Sequence, residues 1–354
     1  MTPETGIDSG ASAADVVAGD LDRMTKDLSD EFEQLSGGTL LITGGAGFLG
    51  YYLAQAPRAW NDLGIGEPIR LIVFDNFWRG TPAWLTDLAD RPDVDLQTQD
   101  LRDPLPEDMP IADHIIHAAG IASPAFYRAH PIETMDANIN GLRNLLDHAE
   151  ARRNSERPVQ NFLFFSSSEI YGDPSPDSIP TPEDYRGFVS CTGPRACYDE
   201  SKRYGETLCV NFSRARGVRT TIARPFNNYG PGMKITDGRV IADFCRSVIE
   251  GRDIVMFSDG SPTRTFCYVS DAVTGYYKVL VRGHDGEPYN VGVAEPEISM
   301  AELAQRVSSE ATEILGYEGS VVLGSSPEDD YLVDNPNRRC PDITRAGRVL
   351  GYEP

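Results

Sequence analysis

The chain is short of positive charge. Its 354 residues carry 32 lysines and arginines against 54 aspartates and glutamates, a net charge of −22, and this imbalance argues against nucleic acid or an anionic membrane as a partner. It is also short of metal ligands. Five histidines and six cysteines (Cys191, Cys197, Cys209, Cys245, Cys267, Cys340), with no C-x-x-C spacing among them, point away from a zinc site, and no metal is expected. The cysteines read as reduced thiols of a cytoplasmic protein. No apolar run approaches the roughly 20 residues of a membrane span, and the first residues lack the basic and apolar regions of a secretory signal. What remains is the composition of an ordinary globular chain, 40% hydrophobic and 24% charged, long enough for one large or two interlocked domains.

Residues 1–37 form an acidic extension, with nine acids against Arg23 and Lys26. Met1–Gly10 is expected to be disordered. Ser12 and Asp15 can cap a helix running to about Leu35, whose apolar residues Val17, Leu21, Met24, Leu28, Phe32 and Leu35 recur at spacings of three and four. One stripe of that helix must be buried.

From Gly38 the pattern becomes strand, glycine turn, helix: Thr39–Thr43, then Gly44-Gly-Ala-Gly47-Phe48-Leu49-Gly50, then a helix from Phe48 to about Ala56. Glycines there permit a tight turn and a close backbone approach to a pyrophosphate, whose charge sits on the helix N-terminus. A second strand, Arg70–Phe74, ends in Asp75-Asn76. An acid at that place accepts hydrogen bonds from the adenosine ribose hydroxyls and repels a 2′-phosphate, which favours NAD over NADP. The alternation continues through Val94–Thr98, followed by Asp100-Leu101 as an adenine contact, and through Ala112–His117, followed by Ala118-Ala119-Gly120. Small residues there let the cofactor lie against the strand ends. A long helix, Pro131–Arg153, carries Asn138, and strand Gln160–Phe165 delivers Ser166-Ser167-Ser168-Glu169. This rhythm implies an α/β fold, a Rossmann-type doubly wound parallel sheet with a smaller C-terminal substrate-binding lobe. The expected division is a cofactor domain over 38–225, rejoined by about 266–292, and a substrate lobe over 226–265 and 293–354.

Asp173–Cys197 reads as a long loop over the site mouth. The helix after it opens on Tyr198-Asp-Glu-Ser-Lys202, which places a phenol and an ammonium four residues apart on one face. A neighbouring cation would lower the phenol's pKa. A strand-end serine, such a Tyr–Lys pair and an NAD fold together suggest hydride transfer at a carbinol carbon. Tyr198 would be the base, Ser167 would bond the same oxygen, and Lys202 would hold Tyr198 ionised and bind the nicotinamide ribose. Arg239, Arg264 and the pair Arg338-Arg339 suit a diphosphate or carboxylate if they converge, and are surface arginines if they do not.

These residues resemble the extended short-chain dehydrogenase/reductase family of nucleotide-sugar enzymes from about Thr39 to Pro354. Within it, the segments SSSEIYGDP (166–174), EDY (183–185), GPRACYDESKR (193–203), DGRV (237–240), TRTFCYVSD (263–271) and RCPDI (339–343) are most similar to UDP-glucuronate decarboxylases, which make UDP-xylose. The resemblance implies catalytic roles for Ser167, Glu169, Tyr198, Lys202 and Arg339. It places NAD on Gly44, Gly47, Phe48, Leu49, Gly50, Asp75, Asn76, Asp100, Leu101, Ala118, Ala119, Asn138, Tyr198 and Lys202, and the nucleotide sugar on Tyr127, Ser168, Asn227, Arg239, Arg264 and Arg339. Glu169 would position water or the sugar ring, or else only cap the following turn. The resemblance further implies a homodimer formed through the helices spanning about 131–153 and 198–216. It also implies a final helix that this sequence does not carry past Pro354, whose groove the N-terminal helix would fill.

Departures from the family pattern are Ser167 for threonine, Arg186 for tryptophan, Ser190-Cys191 for Asn-Pro, Gly232 for arginine and Asp243 for asparagine. The last four line the expected lid or nucleotide pocket. Ser168, where the related 4,6-dehydratases carry an acidic aspartate, disfavours dehydration. A UDP-glucuronate 4-epimerase or another nucleotide-sugar epimerase/dehydratase is the alternative enzyme. A non-catalytic NAD-binding sensor would dispense with the hydroxyl, tyrosine and lysine, all of which are present.

Overall fold

The structure, a computed structural model, describes residues 12–326, 330 and 333–354; the expectation for Met1–Gly10 lies outside these residues. Six strands, β1 (Thr39–Thr43), β2 (Arg70–Asp75), β3 (Val94–Thr98), β4 (His114–His117), β5 (Asn161–Phe165) and β6 (Thr220–Pro225), are joined by a seventh, Pro288–Val291. All pair in parallel, in the order Pro288–Val291, β6, β5, β4, β1, β2, β3. The order reverses direction at β1, so the crevice beyond the strand ends opens between β1 and β4, where open α/β sheets bind ligands.

Helices cover both faces. One face carries α1 (Ala13–Asp27), α2 (Ser29–Leu35), α3 (Phe48–Leu63), α10 (Val269–Arg282) and α12 (Thr344–Leu350), whose Leu21, Phe32, Tyr52, Tyr277 and Leu350 share one core with Ile42 and Val73 of the sheet. Between these in the chain come α4 (Ala83–Ala89), α5 (Pro124–Ala129), α6 (Pro131–Asp136), α7 (Leu142–Arg152), α8 (Ala196–Asn211) and α9 (Val240–Ile249). On the opposite face Leu142, Leu145 and Leu146 of α7 and Cys209 of α8 pack on Ile115, Phe162 and Phe164. A third cluster joins Phe244 of α9 to Leu303, Ala304 and Ala311 of α11 (Met300–Leu315).

The N-terminal stripe is buried: Leu21, Met24, Leu28, Phe32 and Leu35 are each 5% exposed or less, lying on α3 and α10. Ser12 and Asp15 form a capping box. The single expected helix breaks at Leu28 into α1 and α2. Asp20 accepts hydrogen bonds from Tyr52 (2.6 Å) and Tyr268 (2.8 Å), which ties α1 both to the helix that follows the glycine turn and to the residue that caps α10.

Helix α3 runs to Leu63, past the expected end near Ala56 and through Pro57. A proline inside a helix orphans the carbonyl four residues earlier. Here that carbonyl, of Leu53, accepts a hydrogen bond from the Tyr277 hydroxyl, so the helix continues. The expected helix 131–153 is interrupted by a π-helical turn, Ala137–Gly141, a bulge that sets Asn138 facing α8. No helix among the described residues is long and apolar enough to cross a membrane.

Candidate active site

The cofactor side is built mostly from backbone. Gly44 has φ +74°, and a Cβ there would stand 2.7 Å from Ala119 Cα; one on Gly50 would stand 2.2 Å from the Gly45 carbonyl oxygen. Neither position tolerates a side chain, because the turn is threaded between β4 and α3. Gly47 is the N-cap of α3 and has no side-chain cap, which leaves first-turn amides for an anion. Asp75, at the end of β2, accepts from the Ala46 amide (2.9 Å) and the Phe77 amide (2.8 Å). These bonds aim its carboxylate, while burial raises its pKa. Asn76 donates to Asp100 (3.0 Å), and the Arg102 fork holds Asp100 down at about 2. Gly44, Gly47, Phe48, Leu49, Gly50, Asp75, Asn76, Asp100, Leu101, Ala118 and Ala119 all line one cleft of about 420 Å³. Bare glycines, free helix amides and an oriented strand-end acid fit a dinucleotide.

Of the other residues expected on the cofactor, Tyr198 and Lys202 line the adjoining cavity, and Asn138 lines neither. It is fully buried and donates to Ser201 Oγ of α8 (2.9 Å), because the π-turn rolls it behind Gly120.

A second cavity of about 300 Å³ shares Leu49, Ala118, Gly120 and Arg239 with the first. It is lined by Ser167, Ser168, Glu169, Tyr198, Lys202, Asn227, Arg239, Arg264 and Arg339. Tyr198 is 6% exposed. Burial pushes its phenol up to about 12, although the Ser167 hydrogen bond acts in the opposite sense. Lys202 donates to the Phe165 carbonyl (2.8 Å), and its ammonium lies 5.7 Å from the Tyr198 ring centre; burial pushes it down to about 7. The net shift of the phenol beside this lysine is upward. Both groups are buried, burial disfavours both charged forms, and the lysine's nearest partner is a backbone carbonyl.

Tyr127, expected on the substrate, is not on the cavity wall. It is buried and stacks face to face on Tyr198, with centroids 5.0 Å apart and planes at 10°. Arg264 is 8% exposed and donates to the carbonyls of Thr263 (2.7 Å) and Pro336 (2.6 Å). Of the adjacent arginine pair only Arg339 faces the cavity; Arg338 is paired with Glu297 (2.7 Å) outside it. Of the altered positions, Asp243 lines the substrate cavity and Gly232 the cofactor cleft, whereas Arg186, Ser190 and Cys191 line neither. The long loop is held to the C-terminal segment by Asp173, which accepts from the amide and side chain of Asn337 (2.8 and 3.0 Å).

Glu169 does not cap the turn after it; Ser167 Oγ does, accepting from the Glu169 amide (3.2 Å). Its carboxylate is instead gripped by two guanidinium groups, Arg195 and Arg339. Burial would raise its pKa, but the two arginines outweigh burial and hold it well below the usual carboxylate range. Arg195 is the residue that sequence reasoning passed over. It stands in the quoted GPRACYDESKR segment, but nothing in one sequence marks which of 54 acids an arginine meets. Asp199 was also passed over: it is 4% exposed, and burial and the Glu169 charge raise its pKa.

The model of the NAD dependent epimerase/dehydratase family matches residues 40–292. Over 315 residues the chain is 38% identical to UDP-glucuronic acid decarboxylase 5 of Arabidopsis thaliana, covering 89% of this chain and 84% of that one. It is 35% identical to UDP-glucuronic acid decarboxylase 1 of Xenopus tropicalis, covering 89% and 68%. Among solved structures, the dTDP-glucose 4,6-dehydratase DesIV of Streptomyces venezuelae, crystallised with NAD, is similar at TM-score 0.76 and 25% identity over 89% of this chain and 92% of that one. A glycine turn and strand-end acid lining one cleft, a Ser–Tyr–Lys group on the adjoining wall and a family match over most of the chain agree: the chain belongs to the NAD dependent epimerase/dehydratase family, and its cofactor is NAD.

Proposed function

We propose that the chain decarboxylates UDP-glucuronate to UDP-xylose by oxidation at C4, loss of CO₂ and re-reduction at C4. The observation that carries this reading is the Glu169 carboxylate, gripped by Arg195 and Arg339, on the same cavity wall as Ser167, Tyr198 and Lys202. The similarity to curated UDP-glucuronic acid decarboxylases supports it.

NAD, when bound against the glycine turn and Asp75, would supply the hydride acceptor for the oxidation and the hydride donor for the re-reduction. In this reading Tyr198 acts as the phenolate, a form that the positive charge of Lys202 and of an adjoining nicotinamide ring would favour against the burial that raises its pKa; it takes the C4 hydroxyl proton, Ser167 bonds both the phenol and the sugar oxygen, and Lys202 holds the nicotinamide ribose. A ketone at C4 is β to the C6 carboxylate, so departure of CO₂ leaves its electron pair delocalised as an enolate. C5 would then take a proton from water, and Tyr198 would give its proton back to the C4 oxygen when the ketone is re-reduced. A carboxylate held so low is an acceptor rather than an acid, which assigns Glu169 to orienting water or a sugar hydroxyl. Arg239 and Arg264 suit the diphosphate, with Asn227 and Ser168 beside them on the wall. The cofactor half in this reading is 38–225 with about 266–292, and the remainder after 225 is the substrate half.

The same reading takes the chain as a homodimer in the cytoplasm. Helices α6 and α8 pack on each other and leave Ile132 and Tyr204 on their outer surface, 59% and 48% exposed; the cysteines are free thiols. Light scattering at the mass of one chain would remove the dimer. For the reaction, the protein incubated with NAD and UDP-glucuronate should yield CO₂ and a UDP-pentose by mass spectrometry. A UDP-hexuronate of unchanged mass but altered C4 configuration would make it a 4-epimerase instead, and untouched substrate would refute both.

A further inference from the structure

Arg195 is the N-cap of α8, three residues before Tyr198, and is 5% exposed. Its Nη2 donates to Glu169 Oε2. Its guanidinium carbon lies 5.8 Å from the centre of the Tyr127 ring, and that ring is the one stacked on Tyr198. On its other side Nε stands 3.9 Å from Asp199 Oδ2, and both Arg195 Nε and Asp199 Oδ1 are buried without a hydrogen-bond partner.

A buried ion left unpaired costs several kcal/mol, so the number of cations around Glu169 decides its state. Those facing it are Arg195 from the start of α8, Arg339 from the C-terminal strand Arg338–Arg339 and Arg264 from strand Thr263–Arg264. The other titratable neighbours are Tyr198 and Asp199 from α8 and Tyr127 from α5. Arg339 and Arg264 both belong to the substrate side, so Arg195 is the cofactor side's contribution to the grip. A residue that merely filled space here would not need a charge, nor a planar fork aimed at the carboxylate.

We infer that Arg195 is a positioning residue: it fixes the Glu169 carboxylate, ionised, on the cavity wall and, through the Tyr127 ring, fixes the plane of Tyr198. The geometry stands by itself; the kinetic consequence rests on the reaction proposed above.

Arg195→Gln and Arg195→Lys separate the roles, with a titration that needs no substrate and an assay that does. In protein carrying ¹³C-labelled glutamate carboxyls, Glu169 of the wild type and of R195K should stay ionised to the acid limit of folding, whereas in R195Q it should titrate at least about one pH unit higher, the loss of one adjacent cation. An unshifted Glu169 in folded R195Q overturns the inference. With NAD and UDP-glucuronate, R195Q should lose about 100-fold in kcat, with KM within about threefold and the acid limb of the pH profile moved upward, while R195K keeps at least about a tenth of the wild-type rate. Equal losses in R195Q and R195K with an unmoved acid limb would mark Arg195 as structural only and overturn the inference. A wild type inert toward UDP-glucuronate would refute the proposed reaction, and the titration alone would then decide the role of Arg195.

Discussion

The two cavities meet along Leu49, Ala118, Gly120 and Arg239, yet they are made of different materials. The cofactor cleft is a matter of backbone: glycines with no room for a Cβ, free amides at the start of α3 and small residues at the end of β4. The substrate cavity is a matter of buried ionisable groups: Glu169, Arg195, Lys202, Arg264 and Arg339 are drawn from segments up to 170 residues apart, with Glu169 held by Arg195 and Arg339 and with Lys202 and Arg264 held by backbone carbonyls. The first kind of site tolerates no added atom, and the second tolerates no lost charge.

Four substitutions can break or sharpen that contrast. The largest effect is expected at Tyr198. Removing the phenol oxygen in Tyr198→Phe should lower kcat by at least about 10³-fold, while NAD binding, measured by fluorescence titration, stays at the wild-type value. A variant that still turned over would remove Tyr198 as the base. Next is the support behind the cofactor half. Leu28 is fully buried between α3 and α10, so Leu28→Ala should destabilise the protein by about 2–5 kcal/mol, visible as a lower melting temperature, with the kcat of the folded fraction unchanged. A melting curve that did not move would mean that the extension is not docked as described.

Smaller again is Gly44→Ala. Its Cβ meets the backbone of Ala118 and Ala119 at a φ that side chains rarely adopt, a strain of about 1–3 kcal/mol, and NAD affinity should fall at least about tenfold. Full affinity would show that the turn yields. The smallest effect is expected at Asp243, where burial, reinforced by Asp237, pushes the carboxyl up to about 6 from an ordinary 3.8. Between about pH 4 and 6 the folded protein keeps a proton there that the unfolded chain gives up, so this group's contribution to stability falls as pH rises through that window and is unchanging below it. Asp243→Asn should flatten that part of the stability profile measured by denaturation, whereas Gly44→Ala should leave it untouched. Parallel profiles for Asp243→Asn and wild type would contradict the raised value.

How much was legible beforehand follows the same division. Five strands of the sheet, the glycine turn, the strand-end Asp75 and the helix-start Tyr198 are features of local pattern, and each is found within a residue or two of its expected place, whereas the edge strand Pro288–Val291 was not anticipated. The N-terminal stripe was legible for the same reason. The helix after the glycine turn was expected to end near Ala56; it runs on through Pro57 because Tyr277, more than 200 residues later, supplies a donor to the carbonyl that the proline orphans. Asn138 and Tyr127 were read as ligand contacts, and both are buried behind the wall, one turned by a π-bulge and the other laid flat on Tyr198. Lys202 was read as an ammonium acting on a phenol; that both are buried, which works against both charged forms, was not legible in their spacing.

By itself, then, the sequence determined the parallel α/β architecture, the dinucleotide turn and the three residues Ser167, Tyr198 and Lys202, because backbone geometry repeats at short range and is written in spacing. Tertiary structure alone decided that Glu169 meets Arg195 and Arg339, that Lys202 and Tyr198 are buried together, with burial working against both charged forms, and that α3 survives its proline. Those outcomes depend on which distant groups are buried together, and in a low-dielectric interior each such meeting sets a charge state or satisfies a hydrogen bond that no local pattern encodes.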